Sequence, residues 1–328
     1  MGIQTEEIFI AVPGRMHPHA SERIGNTFRI VPLERSDPAL LQHEIARQIR
    51  GIAVVGTSMG VDAAFIDALP NLEIVANFGV GYDSVDASYC AKCGIMVSNT
   101  PDVLTEEVAD TAVGLLINTV RELSKAENWL RAGKWVSEGN YRLTPATLRG
   151  RHVGIFGMGR IGSAIARRLE GFGLKISYHN RRKVEGVTYD YYPSLKELAA
   201  AVDTLVSIAP GGSATERAVN AEVLRALGPE GIFVNVGRGS AVDEPALIAA
   251  LRDGTILAAG LDVFADEPRV PAELLALPNA CLTPHVASAS VYTRRAMADL
   301  TVDNLVAWFT QRKALTPVPE TIGVVARP

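Results

Sequence analysis

Short apolar runs and helix-like segments alternate along most of this chain. In the first hundred residues the runs fall at 8–12, 28–33, 51–56, 72–79 and 95–99, with helical spacing in the gaps. Parallel strands need a crossover between neighbours, usually a helix, so this alternation predicts a parallel sheet covered by helices. Thr100-Pro101-Asp102 then punctuates the pattern, and 103–132 carries apolar residues at helical spacing, predicting one long helix between two domains. Residues 133–150, with Trp135, Tyr141 and Pro145, are low in regular pattern. The alternation restarts with strands expected at 153–157, 175–179, 204–209, 231–236, 256–263 and 280–283. Helices are expected at 161–171, 195–200, 221–227 and 244–252, and an amphipathic helix at 290–311. No internal repeat or low-complexity tract interrupts this order.

At 328 residues the chain can form two domains, each with its own core. A composition of 48% hydrophobic and 21% charged residues reads as globular. The net charge is −4 and Lys and Arg are scattered, which predicts neither a nucleic-acid nor a membrane partner. The amino terminus lacks the basic and apolar segments of a secretory signal, and Glu6 stands where a myristoylation signal wants Ser or Thr. The longest apolar stretch, 111–120, is too short to span a bilayer, so a cytoplasmic location is expected. Cys90-Ala91-Lys92-Cys93 has the spacing of a metal or redox pair, but a metal site needs a second pair and Cys281 is alone. Reduced thiols and no metal are expected.

Gly157-Met158-Gly159-Arg160-Ile161-Gly162 follows a predicted strand and opens a predicted helix. In that context G-x-G-x-x-G indicates a dinucleotide-binding turn. Gly157 makes the turn, Gly159 admits a pyrophosphate, and Gly162 lets helix and strand pack closely. An enzyme using NAD has a carboxylate some 20 residues on, at the next strand end, for the ribose 2′-hydroxyl. Here that strand ends His179-Asn180-Arg181-Arg182. Guanidinium groups suit a 2′-phosphate, so NADP(H) is the expected cofactor, with NAD(H) as the second choice.

Three further patterns each end an apolar run on an ionisable residue: Arg238 in Val236-Gly237-Arg238-Gly239, Glu267 before Pro268, and His285 after Thr283-Pro284. Reduction of a 2-oxo acid needs a cation for the carboxylate, a proton donor for the carbonyl oxygen, and a hydride source. Arg238 can supply the first, and His285 the second because imidazole exchanges protons near neutral pH. Glu267 would orient the ring and favour its protonated form. Asp262, at its strand end, is placed to accept from a nicotinamide carboxamide.

With these motifs, Val75-Ala76-Asn77-Phe78-Gly79-Val80-Gly81-Tyr82-Asp83 and Asn99-Thr100-Pro101-Asp102-Val103-Leu104-Thr105, the chain resembles the D-isomer-specific 2-hydroxyacid dehydrogenases over about 52–317. Within them it is most similar to the glyoxylate/hydroxypyruvate and hydroxyphenylpyruvate reductases. The resemblance implies two Rossmann-like, doubly wound parallel-sheet α/β domains with the active site in the cleft between them. A discontinuous substrate-binding domain would comprise 1–100 and 287–328. A coenzyme domain, 101–286, would carry a dimerisation arm at about 117–150, giving a homodimer. It further implies that N–H groups of Val80 and Gly81 hold the substrate carboxylate. Met158, Gly159, Arg160, Ile161, Asn180, Arg181, Arg182, Ala209, Pro210, Val236, Gly237 and Arg238 would line the cofactor.

The expected activity is therefore NADPH-dependent reduction of glyoxylate and hydroxypyruvate to D-2-hydroxy acids. Aromatic 2-oxo acids such as phenylpyruvate and hydroxyphenylpyruvate are the second choice, and a short-form phosphoglycerate dehydrogenase a third. A nucleotide-sensing corepressor-like protein keeps the same residues and is a remote alternative. The 54–60 loop, Phe78 and the arm near Trp135 of the partner subunit are expected to shape the side-chain pocket.

Overall fold

A computed structural model describes residues 5–55 and 60–325, so most of the 54–60 segment lies outside the described residues. The chain divides into two compact units, Met1–Leu104 with Ser290–Pro328, and Thr105–Ala289. Each is built on one wholly parallel sheet with helices, the α/β class that the alternation predicts. No helix of the described residues is long and apolar enough to cross a membrane.

In the first unit, β1 (Phe9–Pro13), β2 (Arg29–Leu33), β3 (Ile49–Val55), β4 (Ile74–Phe78) and β5 (Met96–Ser98) lie in the order β2-β1-β3-β4-β5. β4 is buried along its whole length, because a central parallel strand covered on both faces needs apolar residues on both. Asn77 is its one polar side chain, 1% exposed. The helix Val291–Gln311 completes this unit from the far end of the chain, burying Trp308 and setting Phe309 edge-on against Phe28 at 5.8 Å.

The second unit holds β6 (His152–Phe156), β7 (Lys175–His179), β8 (Asp190–Tyr192), β9 (Thr204–Ser207), β10 (Ile232–Asn235), β11 (Ala258–Leu261) and β12 (Ala280–Leu282). Their order is β12-β11-β10-β9-β6-β7-β8. The winding reverses between β6 and β9, where an open parallel sheet leaves a crevice for a ligand. The register carries the site. Phe156 and Asn235 both pair with Ser207, and Asn235 also pairs with Leu261, so the loops after β6, β9, β10 and β11 leave the sheet at one level.

Several elements differ from the sequence reading. The helix expected over 103–132 is two, Thr105–Arg121 and Leu123–Arg131, broken at Glu122, which takes a left-handed conformation (φ 52°). The Glu122 carboxylate gathers Lys125, Tyr141 and Arg142, fastening the following segment to the helix end. Glutamate is a good helix former, so the pattern gives no sign of the break. Within 133–150, Lys134–Ser137 forms a helical turn. The run read as a strand over 256–263 is a strand only at Ala258–Leu261. The three-residue edge strand β8 is too short to show an alternation.

Candidate active site

At the reversal of the winding, Gly157 has φ 106°, and a Cβ there would lie 2.9 Å from the Ala209 nitrogen. A Cβ on Gly162 would lie 2.2 Å from the Gly157 oxygen, whereas nothing stands within 4 Å of one on Gly159. Only the middle glycine thus faces open space. It is also the N-cap of helix Arg160–Glu170 and supplies no side-chain cap, leaving the positive end of the helix to a ligand.

Asn180 is tied to the glycine turn. Its Oδ1 accepts from the Met158 N–H at 2.6 Å and its Nδ2 donates to the Met158 oxygen at 3.3 Å, so its amide fastens the turn. Arg181 and Arg182 are exposed, with no protein partner among the described residues. Ala209 and Val236 have buried side chains, and Pro210 is exposed.

At the end of β10, Asn235 is fully buried and acts as a clamp. Its Oδ1 accepts from the Gly237 N–H (3.1 Å) and its Nδ2 donates to the Arg238 oxygen (2.9 Å). Side-chain amides of this kind replace a backbone turn and fix the residues that follow. Arg238 is extended and partly buried, and its Nη1 donates to the Gly237 oxygen at 2.9 Å.

Asp262 plays the same part after β11. Its Oδ1 accepts from the Thr283 hydroxyl (2.7 Å) and the Val286 N–H (2.8 Å), and its Oδ2 from the Ala287 N–H (2.9 Å). The His285 N–H donates to the Asp262 oxygen at 2.8 Å, with His285 held at φ 53°. A left-handed conformation is uncommon for a residue with a side chain and persists where the surroundings enforce it. Asp262 thus holds the loop that carries His285.

Nδ1 of His285 donates to Oε2 of Glu267 at 2.7 Å, and Oε1 of Glu267 accepts from the Phe264 N–H at 3.0 Å. Burial works to raise the Glu267 carboxyl. The bond to His285, its charge, the Phe264 N–H and the nearby Arg238 outweigh that and hold it below the ordinary carboxylate range. Glu267 is therefore a charged acceptor at neutral pH. It fixes the tautomer with the Nδ1 proton and leaves Nε2 to a substrate.

Arg238, Glu267 and His285 thus meet at the carboxyl edge of one sheet. Val80 and Gly81 lie in the first unit, in the turn directly after β4. The fastening roles of Asn180, Asn235 and Asp262 escaped the sequence reading, although a polar residue ending an apolar run just before a glycine turn marks Asn235.

The comparisons with known proteins bear on this geometry. Residues 113–287 match the family model for the NAD-binding domain of D-isomer-specific 2-hydroxyacid dehydrogenases. This chain belongs to that family. It is 49% identical over 267 residues to hydroxyphenylpyruvate reductase from Plectranthus scutellarioides, covering 81% of this chain and 85% of that one. It is equally similar, with the same coverage, to glyoxylate/hydroxypyruvate reductase A from Arabidopsis thaliana. Among solved structures it resembles an NADPH-dependent glyoxylate/hydroxypyruvate reductase from Sinorhizobium meliloti, in complex with NADP and malonate. The identity is 58%, the TM-score 0.94, and the coverage 98% of this chain and 99% of that one. Family membership makes the chain a nicotinamide-dependent oxidoreductase acting on 2-hydroxy or 2-oxo acids.

Proposed function

We propose that this dehydrogenase reduces small 2-oxo acids, glyoxylate and hydroxypyruvate, to D-2-hydroxy acids with NADPH. The observation that carries the reading is the fixed pair His285–Glu267 beside Arg238, combined with two exposed arginines where an NAD enzyme has a carboxylate. The S. meliloti enzyme, bound to NADP and a small dicarboxylate, supports the same choice.

The uncapped helix and the open space at Gly159 fit a pyrophosphate, and Arg181 and Arg182 fit a 2′-phosphate. When bound, the nicotinamide supplies the hydride. Arg238 binds the substrate carboxylate and polarises the carbonyl, whose developing negative charge it stabilises. His285 gives its Nε2 proton to the carbonyl oxygen, which becomes the hydroxyl. Glu267 stabilises the imidazolium beforehand and keeps the ring aimed. N–H groups of Val80 and Gly81 supply further contacts to the carboxylate from the substrate-binding unit.

The protein is a homodimer in this reading. Leu130, Trp135, Val136 and Leu143 expose apolar surface on the segment fastened by Glu122, Trp135 by 59% and Val136 by 95%. Such a surface on one chain suits a partner copy. Sedimentation should give about twice the chain mass, and a fully active monomer contradicts it.

A specific observation favours the aromatic alternative, since the hydroxyphenylpyruvate reductase is as similar as the plant glyoxylate/hydroxypyruvate enzyme. The test is kcat/KM with NADPH for glyoxylate, hydroxypyruvate and hydroxyphenylpyruvate. A preference for the first two supports the proposal, and a preference for the aromatic acid replaces it. Turnover with none of them points to a nucleotide-sensing role.

A further inference from the structure

The turn after β4 is held from inside by two side-chain amides. Asn77, 1% exposed, donates from Nδ2 to both the Gly79 oxygen and the Gly81 oxygen, each at 3.0 Å. Asn99 donates from Nδ2 to the Val80 oxygen at 2.8 Å. The Gly79 oxygen also accepts from the Thr100 N–H at 3.0 Å, and the Thr100 hydroxyl accepts from the Gly79 N–H at 3.1 Å. Three consecutive carbonyls are therefore drawn toward these side chains and the Thr100 backbone.

A trans peptide unit is planar, with its N–H directed opposite to its C=O. The unit whose carbonyl belongs to Gly79 carries the N–H of Val80, and the unit whose carbonyl belongs to Val80 carries the N–H of Gly81. Holding each carbonyl therefore fixes the direction of the N–H in the same unit, and no acceptor among the described residues takes either N–H. Two adjacent N–H groups presented together make a concavity for an anion.

Asn77 has no packing reason to be polar. It sits in a strand otherwise apolar, and its Oδ1 is buried without a donor among the described residues. A buried amide with one end unmet costs stability, so its retention at this position is explained by what Nδ2 does. The two carbonyl contacts also settle which end of the amide is which.

We infer that Asn77 and Asn99 are positioning residues that set the Val80–Gly81 N–H pair for the substrate carboxylate. The inference rests on the 2-oxo acid reading above. Neither residue touches substrate; each acts through the carbonyl it holds.

The test compares Asn77→Asp and Asn99→Asp with wild type, using NADPH and either glyoxylate or its neutral methyl ester. Aspartate keeps the shape and, when ionised, replaces a donor with an acceptor facing the carbonyls. In both variants KM for glyoxylate should rise by about ten- to a hundredfold while kcat changes by less than about threefold. KM for the ester and NADPH affinity should stay near wild type. If the buried Asn77→Asp fails to fold, the partly buried Asn99→Asp carries the test alone. Wild type favouring the acid over the ester, with the folded variants keeping its KM for glyoxylate, overturns the positioning role and leaves the substrate reading intact. A wild type that treats acid and ester alike overturns the carboxylate reading itself, and the inference falls with it.

Discussion

Glu267 holds Nδ1 of His285 at 2.7 Å while its other oxygen is fixed by the Phe264 N–H at 3.0 Å. The carboxylate is thus anchored before it orients the ring. Because its carboxyl is held below the ordinary range, Glu267 stays charged through the neutral region and stabilises a positive imidazole throughout it. Reduction needs the protonated ring and oxidation the neutral one. In Glu267→Gln the alkaline limb of kcat/KM for reduction should move to lower pH, while oxidation of the hydroxy acid should extend downward in pH. Profiles in both directions, taken with a deuterium isotope effect on hydride transfer, check this. A limb that moves to higher pH contradicts the assignment.

Cofactor choice should follow Arg181 and Arg182, both exposed beyond β7. Charge-assisted hydrogen bonds contribute about 1.5–3 kcal/mol each, less screening by salt, so two of them favour NADPH by tenfold to several thousandfold. Replacing both with Ala should raise KM for NADPH by at least about tenfold and leave NADH nearly unchanged. Equal use of the two cofactors by wild type contradicts the reading.

Gly239 ties Arg238 to the loop that carries Glu267. A Cβ there would fall 1.9 Å from the Phe264 carbonyl carbon and oxygen. The neighbouring Ala265 N–H is also fastened, donating to Oε2 of Glu244 at 3.2 Å. Gly239→Ala should therefore push away the segment on which Glu267 rests. We expect a loss of about 1–3 kcal/mol or more in denaturant unfolding and a fall in kcat greater than in KM. A variant of wild-type stability and activity argues that the two loops are not coupled.

Much of this organisation can be read from the chain. The alternation of strands and helices, the glycine turn and the charged ends of β10 and β11 follow from period, length and local chemistry. What the pattern hides is the use made of buried polar groups. Asn77 lies within, Asn235 at the end of and Asp262 directly after a strand whose apolar character is plain, but a lone Asn or Asp in such a run does not reveal which carbonyl or N–H it meets. The break at Glu122 is hidden for a related reason: the groups its carboxylate gathers there are Lys125, Tyr141 and Arg142, two of them well beyond the helical turn that contains it.

Glu122 yields an acid-stability prediction. Burial works to raise its carboxyl, and the hydrogen bonds from Lys125, Tyr141 and Arg142 outweigh it, so the folded carboxyl titrates below its unfolded value. Its contribution is full above the unfolded pKa and is lost as pH falls through the folded one. Wild-type Tm should drop across that window, and Glu122→Gln should be less stable at neutral pH with a shallower drop. Parallel Tm–pH curves contradict the anchor.

The most direct test of the account is NADPH oxidation by wild type and His285→Ala with glyoxylate and hydroxypyruvate, alongside NADPH binding by both. We predict turnover by wild type, a loss of at least about a thousandfold in His285→Ala, consistent with losing a general acid, and cofactor affinity unchanged within about twofold. A wild type inert toward both acids, or a His285→Ala variant that retains its rate, contradicts the account.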